Sequence, residues 1–375
     1  MNGKTGRSQF GKYSKNERPR TSEESRKLKG TRLSLNFSVK VALSFVCLLA
    51  AVTLSLLLGS KSLSLKELLG AITNNSTART ILFSLRLPRT ILALLSGALL
   101  ASSGACFQMF FRNSLAEPGI IGISSAATLG AIFSTLVNVS IGSAASIFFH
   151  IISPMSVFAF AGALLSGFLI SLIASKSRSH SNMTILLCGT ALGTFYASVS
   201  SIILLTQSQY LHGIYTWILG SFNGRGWNEL SFIVLPAAIS VLLMMLCANR
   251  LDVMNSGEET AGYLGVNISR LRVLVLISSS LAISSSVCAG GTINFVGLIA
   301  PHLVRKLFGT RNLNARKLIL LSALFGGILV ILSDTFARIV IRPSELPAGL
   351  ITSLLGSPFF VSLLFKKKED NFGGY

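Results

Sequence analysis

Residues 118–175 contain no Asp, Glu, Lys or Arg. A run that long cannot fold as a water-soluble layer, because no polar face is left to meet solvent. The whole chain repeats the pattern. Of its 375 residues, 51% are hydrophobic and only 12% charged, and mean hydropathy is +0.66. Soluble domains carry about 25% charged residues. The chain is therefore an integral membrane protein, and its fold class is all-α. In lipid every backbone polar group must be satisfied within the structure, and these runs are about twice a barrel strand.

A bilayer core of about 30 Å needs about 20 apolar residues per helix. The apolar windows place spans at 41–59, 90–111, 121–137, 145–173, 183–206, 230–248, 318–337 and 346–365. The window 273–304 is too long for one helix, and Gly290-Gly291 near its middle divides it into two. The sum is ten transmembrane helices. A turn between the third and fourth falls at residues 138–143. The chain divides into a basic cytoplasmic tail (1–40), a ten-helix transmembrane domain (41–366) and a short cytoplasmic C-terminal tail (367–375).

The net charge of +20 follows this layout and not a nucleic-acid surface. Eleven of the 33 Lys and Arg lie in residues 1–40, a polar tail suited to solvent or anionic lipid. With both termini inside, the inner segments hold 25 basic residues and the outer ones eight, as the positive-inside rule favours. Five of those eight lie in the first outer loop: Lys61, Lys66, Arg79, Arg86 and Arg89. The orientation rule gives no reason for that cluster.

Several residues carry candidate chemistry. Arg86, Arg89 and Arg338 fall at one face, where they either anchor helix ends or receive acidic groups, since guanidinium pairs carboxylate in two-point fashion. Asp334 and Arg338 sit i,i+4 and are expected to form a local ion pair. Asp334 is also the most nearly intramembrane acid, which keeps an ion or proton role open. In the loop 249–272, Ser256 and Glu259 form an S-x-x-E capping box, so a short helix should start there and stop at Gly265. It would carry Glu258, Glu259 and Ala261, with Tyr263 and Leu264 facing either a partner or the membrane surface. Trp217 and Trp227 flank a Gly/Ser/Asn turn, as interfacial anchors or as a substrate-facing loop. Gly189, Gly193, Gly290 and Gly291 are candidates for close packing or for the pathway. The five cysteines lie in or beside apolar runs and read as buried thiols. No catalytic set or metal-ligand spacing is present, and no cofactor is expected.

RLPR at 86–89, RNSLAEPGIIGIS from 112, WILGS with GRGW, GEETAGYLGV, GGTINFVGLIAPHLVR and SDTFAR with SELPAGLITSLLGSPFF occur in this order. Together they resemble the FecCD-type permeases of ABC importers for ferric siderophores, haem and vitamin B12. A common form of the second motif has Asn-Pro-Leu-Ala, where this chain has Ser114.

The resemblance implies a type II importer permease in a bacterial inner or plasma membrane. It implies a homo- or heterodimer with a second permease, two cytoplasmic ABC ATPase subunits and an external solute-binding protein. It implies that Arg86, Arg89 and Arg338 meet acidic residues on that binding protein. The GEETAGYLGV segment (Glu258 to Gly265 within it) would sit in a groove of the ATPase. Transport, not catalysis, is the implied activity. The tryptophan-glycine loop favours ferric siderophore cargo, with haem or a corrinoid as the alternative. An ion-gradient-driven transporter is the competing class, and an intramembrane enzyme has no residue set to support it.

Overall fold

A computed structural model describes residues 36–59, 64, 66, 70, 77–141, 153–176, 182–206 and 211–370. Most of the basic tail expected at 1–40 and the last residues of the chain lie outside these. The described residues form helices α1 (Phe37–Leu57), α2 (Leu87–Phe110), α3 (Ile123–Ile141), α4 (Pro154–Lys176) and α5 (Asn182–Thr206). They continue as α6 (Leu211–Ile218), α7 (Trp227–Met254), α8 (Glu258–Tyr263) and α9 (Ile268–Gly290). The last three are α10 (Val296–Phe308), α11 (Ala315–Val340) and α12 (Ala348–Asp370). A π-helical turn, Ile81–Arg86, leads into α2, and a 3-10 turn, Pro118–Ile121, precedes α3. No strand occurs among the described residues.

Seven helices are long and apolar enough to span a bilayer, and two shorter apolar stretches, Ile123–Leu136 and Ala348–Leu363, accompany them. With α10, these match the ten expected segments. The break at Gly290 is where α9 ends, and α10 starts only at Val296. Most boundaries shift by a few residues, and the expected start of the fourth span at 145 and the end of the turn at 142–143 lie outside the described residues. Helix α3 continues to Ile141, through the residues read as the start of a turn. Asn and Ser lower helix propensity only slightly, and a continuous backbone ladder outweighs them in an apolar setting.

Helix α2 is the axis of the protomer and is buried along nearly its whole length. It packs on α7, α9, α10 and α11. Its small residues allow this. A Cβ on Gly97 would stand 2.2 Å from the Gly326 carbonyl oxygen of α11, and one on Gly104 would stand 2.0 Å from that of Gly297. Helix α9 is equally buried and carries six core serines. Ser278, Ser280, Ser284 and Ser285 return their hydroxyls to carbonyls of the same helix. A serine in that state behaves as a small residue that still satisfies its own polarity. Asn267 and Asn314 cap α9 and α11, accepting from Arg270 N at 2.9 Å and Lys317 N at 3.0 Å.

The outward face of α1 is apolar, as lipid or a second subunit requires, and α5 exposes Leu187, Phe195, Ile202 and Leu205 together with several hydroxyls. Cys47 is exposed on α1, whereas Cys106, Cys247 and Cys288 are buried. The expectation of uniformly buried thiols fails at Cys47, where that face of the helix has no neighbour among the described residues, and holds only in part at the half-buried Cys188.

Candidate functional site

The two ends of the bundle carry different chemistry. At one end the π-helical turn brings Arg86 against the last turn of α1. Its Nη1 donates to Leu56 O at 2.5 Å and Leu57 O at 2.9 Å. Those carbonyls have no partner inside α1, and a cation beside them also suits the helix dipole. Gly59 leaves the room: a Cβ there would stand 2.9 Å from Arg86 Nη2. π-turns recur at functional positions in helices.

Three residues on, Arg89 points into the bundle. Its Nη2 donates to Asp334 Oδ1 at 2.8 Å, its Nε reaches Asp334 Oδ2 at 3.1 Å, and its Nη1 reaches Glu345 Oε2 at 2.7 Å. Arg338 Nε meets the other side of Asp334 at 3.2 Å. Arg338 Nη2 donates to Ser55 Oγ at 2.8 Å and Thr335 Oγ1 at 3.2 Å. The expected i,i+4 pair is present, but it is half of a larger network. Asp334, 1% exposed, serves two arginines. Burying any of these charges alone would be costly, so the network stands or falls as a unit. Arg86, Arg89 and Arg338 do converge, as the sequence suggested. Arg89 and Arg338, however, are already held by acids of their own chain.

A second wall faces them. After α6 the chain turns through Phe222, Gly224 and Arg225 before α7. Arg225 N donates to Phe222 O at 3.2 Å, and Gly226 N donates to Glu229 Oε2 at 2.9 Å. The Trp227 indole N–H donates to Phe83 O at 2.9 Å, pinning this loop to the π-turn. Between the walls lies a cavity of about 490 Å³ lined by Arg86, Arg89, Arg225, Arg338, Glu345 and the loop backbone.

The remaining glycine and tryptophan candidates pack. Gly290 lies under the Phe222 ring. Gly291, at φ +73°, fits against the Trp217 carbonyl where only a glycine passes. Trp217 is buried, not an interfacial anchor, because Gly290 to Thr292 and Gly349 close over its turn. Gly189 and Gly193 on α5 meet Ile121 and Gly122 of the 3-10 turn. The exposed face of α5 instead shows Thr190, Thr194, Ser198 and Ser201, each bonded back to its own helix.

At the opposite end, α8 projects from the loop after α7. The S-x-x-E box does not form. Ser256 lies in a turn (its N–H donates to Val253 O at 3.1 Å), and Gly257 is the N-cap at φ +118°. Reversing the chain there needs a conformation open to glycine, which moves the helix start one residue on. The stop is as expected. Gly265 takes φ +83°, and Val266 N donates to Ala261 O at 3.0 Å. Glu258 and Glu259 lie in the first turn, with Glu258 3.6 Å from Arg272. Ala261 anchors the helix, while Tyr263 is 92% and Leu264 66% exposed. Beside α8 a smaller cavity of about 240 Å³ contains Arg305, which donates to Gln108 Oε1.

Between the ends sits an acid that motif reading quoted without assigning a role. Glu117 Oε1 accepts the Phe295 N–H at 2.6 Å, at the start of α10. Burial pushes its carboxyl up to about 7, and that N–H pulls the other way. Glu345, Arg225, Gly59 and Arg305 were likewise not singled out. Each stands in or near a motif, but only the fold shows what it faces.

An all-helical bundle with a charge-lined cavity at one end and a short exposed helix at the other is a membrane permease by architecture. A solved metal-chelate type ABC transporter in an inward-facing conformation matches it with a TM-score of 0.73 at 27% identity. The match covers 88% of this chain and all of that one.

The FecCD transport family model matches residues 47–366, and the chain belongs to that family. Among its relatives, the iron(3+)-hydroxamate import permease FhuG of Bacillus subtilis is 35% identical over 88% of this chain and 97% of its own. The hemin transport permease HmuU of Yersinia pestis is 35% identical, over 84% and 92%. The cobalamin import permease BtuC of Halobacterium salinarum is 36% identical, over 77% and 74%.

Proposed function

We propose that this chain is the membrane subunit of an ABC importer for ferric siderophores, with the arginine end outside the cell and α8 in the cytoplasm. The observation that carries the reading is the pairing of the two ends. One presents a preorganised cationic cavity, and the other an exposed aromatic-tipped helix on the same rigid bundle. An external binding protein carrying cargo docks through its carboxylates on the cavity, where Arg86 meets them and Arg89 and Arg338 set the field. Tyr263 and Leu264 of α8 insert into an ATPase subunit, and Glu258 and Glu259 orient that contact. Two permeases, identical or paralogous, enclose the pathway. ATP hydrolysis belongs to the separate subunits. The hydroxyl-bearing face of α5 is the candidate pathway wall.

The Gly-Arg-Gly-Trp loop supports siderophore cargo. Relatives for hydroxamate iron, hemin and cobalamin are of nearly equal identity, so haem and a corrinoid are the alternative cargoes. Against an ion-gradient transporter stands Asp334, whose oxygens are both engaged by arginine. The test is uptake of iron-labelled siderophores by cells lacking the gene, with and without its restoration, while ATP and the ion gradients are collapsed separately. ATP-dependent uptake of one siderophore is expected. Iron uptake absent for every siderophore, in cells that hold the protein and its ATPase, moves the cargo to haem or a corrinoid. Uptake that follows the gradients and not ATP overturns the class.

A further inference from the structure

We propose that Glu117 and Asn294 form a polar station in the translocation pathway, one that passes ferric chelates carrying no net negative charge. This rests on the importer reading above and names the cargo class within it.

The break between α9 and α10 is the starting point. Its backbone leaves helical geometry over residues 291–295. Irregular backbone at membrane depth is tolerated only inside protein or beside a water-filled space. Gly291 and Ile293 are buried, but Asn294 is exposed. The adjoining 3-10 turn sets the depth. Its Ile121 and the following Gly122 meet Gly189 and Gly193. Those glycines lie roughly 10 and 16 Å along α5 from its start at Asn182. An exposed amide at that depth is costly against lipid tails and natural against water.

Geometry then joins Asn294 to Glu117. The carboxylate Oε1 accepts the Phe295 N–H at 2.6 Å. Phe295 sits at φ +66°, a left-handed conformation unusual outside glycine, and Gly356 of α12 leaves room for its ring. Backbone strain of this kind collects at functional sites. A Cβ on Gly119 would stand 3.9 Å from Asn294 Oδ1, so the amide lies beside the turn that follows Glu117.

Valence and charge give the cargo class. Glu117 Oε2 and the Asn294 amide have no partner among the described residues. They offer a cargo both acceptors and an amide donor. No Lys or Arg occurs in α5 or in residues 291–295. The nearest basic residue in sequence to Glu117, Arg112, stands exposed beyond the end of α2. An anionic cargo would therefore meet an acid here with no cation beside it. Ferric hydroxamates, whose chelating anions cancel the iron charge, suit this wall. Ferric catecholates and haem, which keep surplus negative charge, do not. Lining donors and local charge set selectivity in membrane pathways generally.

The experiment uses the permease with its ATPase in lipid vesicles. The binding protein is loaded with a neutral ferric trihydroxamate. Asn294→Cys is treated with a charged, water-soluble thiol reagent, and the parent's own cysteines set the background. The station predicts labelling above that background. Asn294→Leu removes a hydrogen-bonding amide and should lower the maximal uptake rate about tenfold. Half-saturation by the binding protein should not move, because docking occurs at the other end. A lipid-facing site would tolerate leucine fully. Glu117→Gln keeps an oxygen for the Phe295 N–H but cannot ionise. It should raise uptake of an anionic ferric catecholate relative to the trihydroxamate, each loaded on a binding protein that carries it. Should Asn294→Leu melt early, labelling of Asn294→Cys decides. Absent labelling, or normal uptake by a folded Asn294→Leu, overturns the station and leaves the importer reading standing. An unchanged catecholate to hydroxamate ratio in Glu117→Gln overturns the cargo class. Absence of ATP-dependent uptake by the parent with every chelate overturns the importer reading itself.

Discussion

The two ends of this bundle handle charge in opposite ways. At the arginine end the ionic groups are buried, multiply bonded and interdependent: Asp334 alone ties α2 to α11 through Arg89 and Arg338. At the α8 end, the acids Glu258 and Glu259 stand at the surface over a buried Arg272, and the conspicuous groups are apolar, with Tyr263 and Leu264 projecting between two positive-φ glycines. The first arrangement resists deformation because breaking any bond strands a buried charge. The second is cheap to move and rewards burial by a partner. A coupling device needs both, a rigid reader at one end and a handle at the other.

The largest expected effect comes from removing the shared acid. Asp334→Ala leaves Arg89 and Arg338 without their common carboxylate and should cost about 3–5 kcal/mol. Thermal unfolding of the purified protein in detergent reads this, and an unchanged melting temperature would mean the arginine end is not the rigid element. At the other end, Tyr263→Ala should leave stability within about 0.5 kcal/mol, since the side chain touches little. It should weaken ATPase association by about 2 kcal/mol, as loss of an interfacial aromatic anchor does. Reversal of Glu258 and Glu259 to Lys should likewise abolish transport in a folded protein, and normal ATP-coupled uptake in that variant would detach α8 from coupling.

A smaller effect separates the two kinds of buried acid. Glu117, unlike Asp334, accepts a backbone N–H and is paired with no cation among the described residues, and burial pushes its carboxyl up to about 7 from an ordinary 4.5. Its neutral form is therefore the one the fold prefers. The stability it contributes is complete below 4.5 and lost as pH rises through 7. Melting temperature should fall between pH 5 and pH 8, and Glu117→Gln should flatten that slope. A slope unchanged by the substitution would assign it to other groups. The smallest effect belongs to the Glu258 to Arg272 pair, long at 3.6 Å and partly exposed on the acid's side. Glu258→Gln should change stability by less than about 1 kcal/mol. A larger loss would mean α8 is held more firmly than the comparison allows.

Much of this was readable without coordinates, for identifiable reasons. Ten segments follow from apolar length against bilayer thickness, a constraint that acts on each stretch separately. Gly290-Gly291 marked the break before α10, and Gly265 marked the end of α8, because glycine signals a local backbone need. Ser256 misled, since a capping box is a local preference and Gly257 offered a sharper turn. Arg86, Arg89 and Arg338 were found together, yet their partners were not. Glu345 lies 256 residues from Arg89 in sequence, and no local rule pairs them. Trp217 looked like an interfacial anchor until the segments around Gly291 and Gly349 were seen to bury it.

The sequence by itself determined that this chain spans a membrane as helices, where those helices break, and which family it belongs to. Those are properties of apolar runs and short motifs, and each is complete within a few dozen residues. Only the tertiary structure decided which arginines are held by the chain's own acids and which face a cavity. It also decided that Arg225 shares that cavity and that Gly189 and Gly193 pack against Ile121 and Gly122. The physical reason is that charge neutralisation and close packing depend on distances between segments far apart in the chain, and those distances exist only once the bundle has closed.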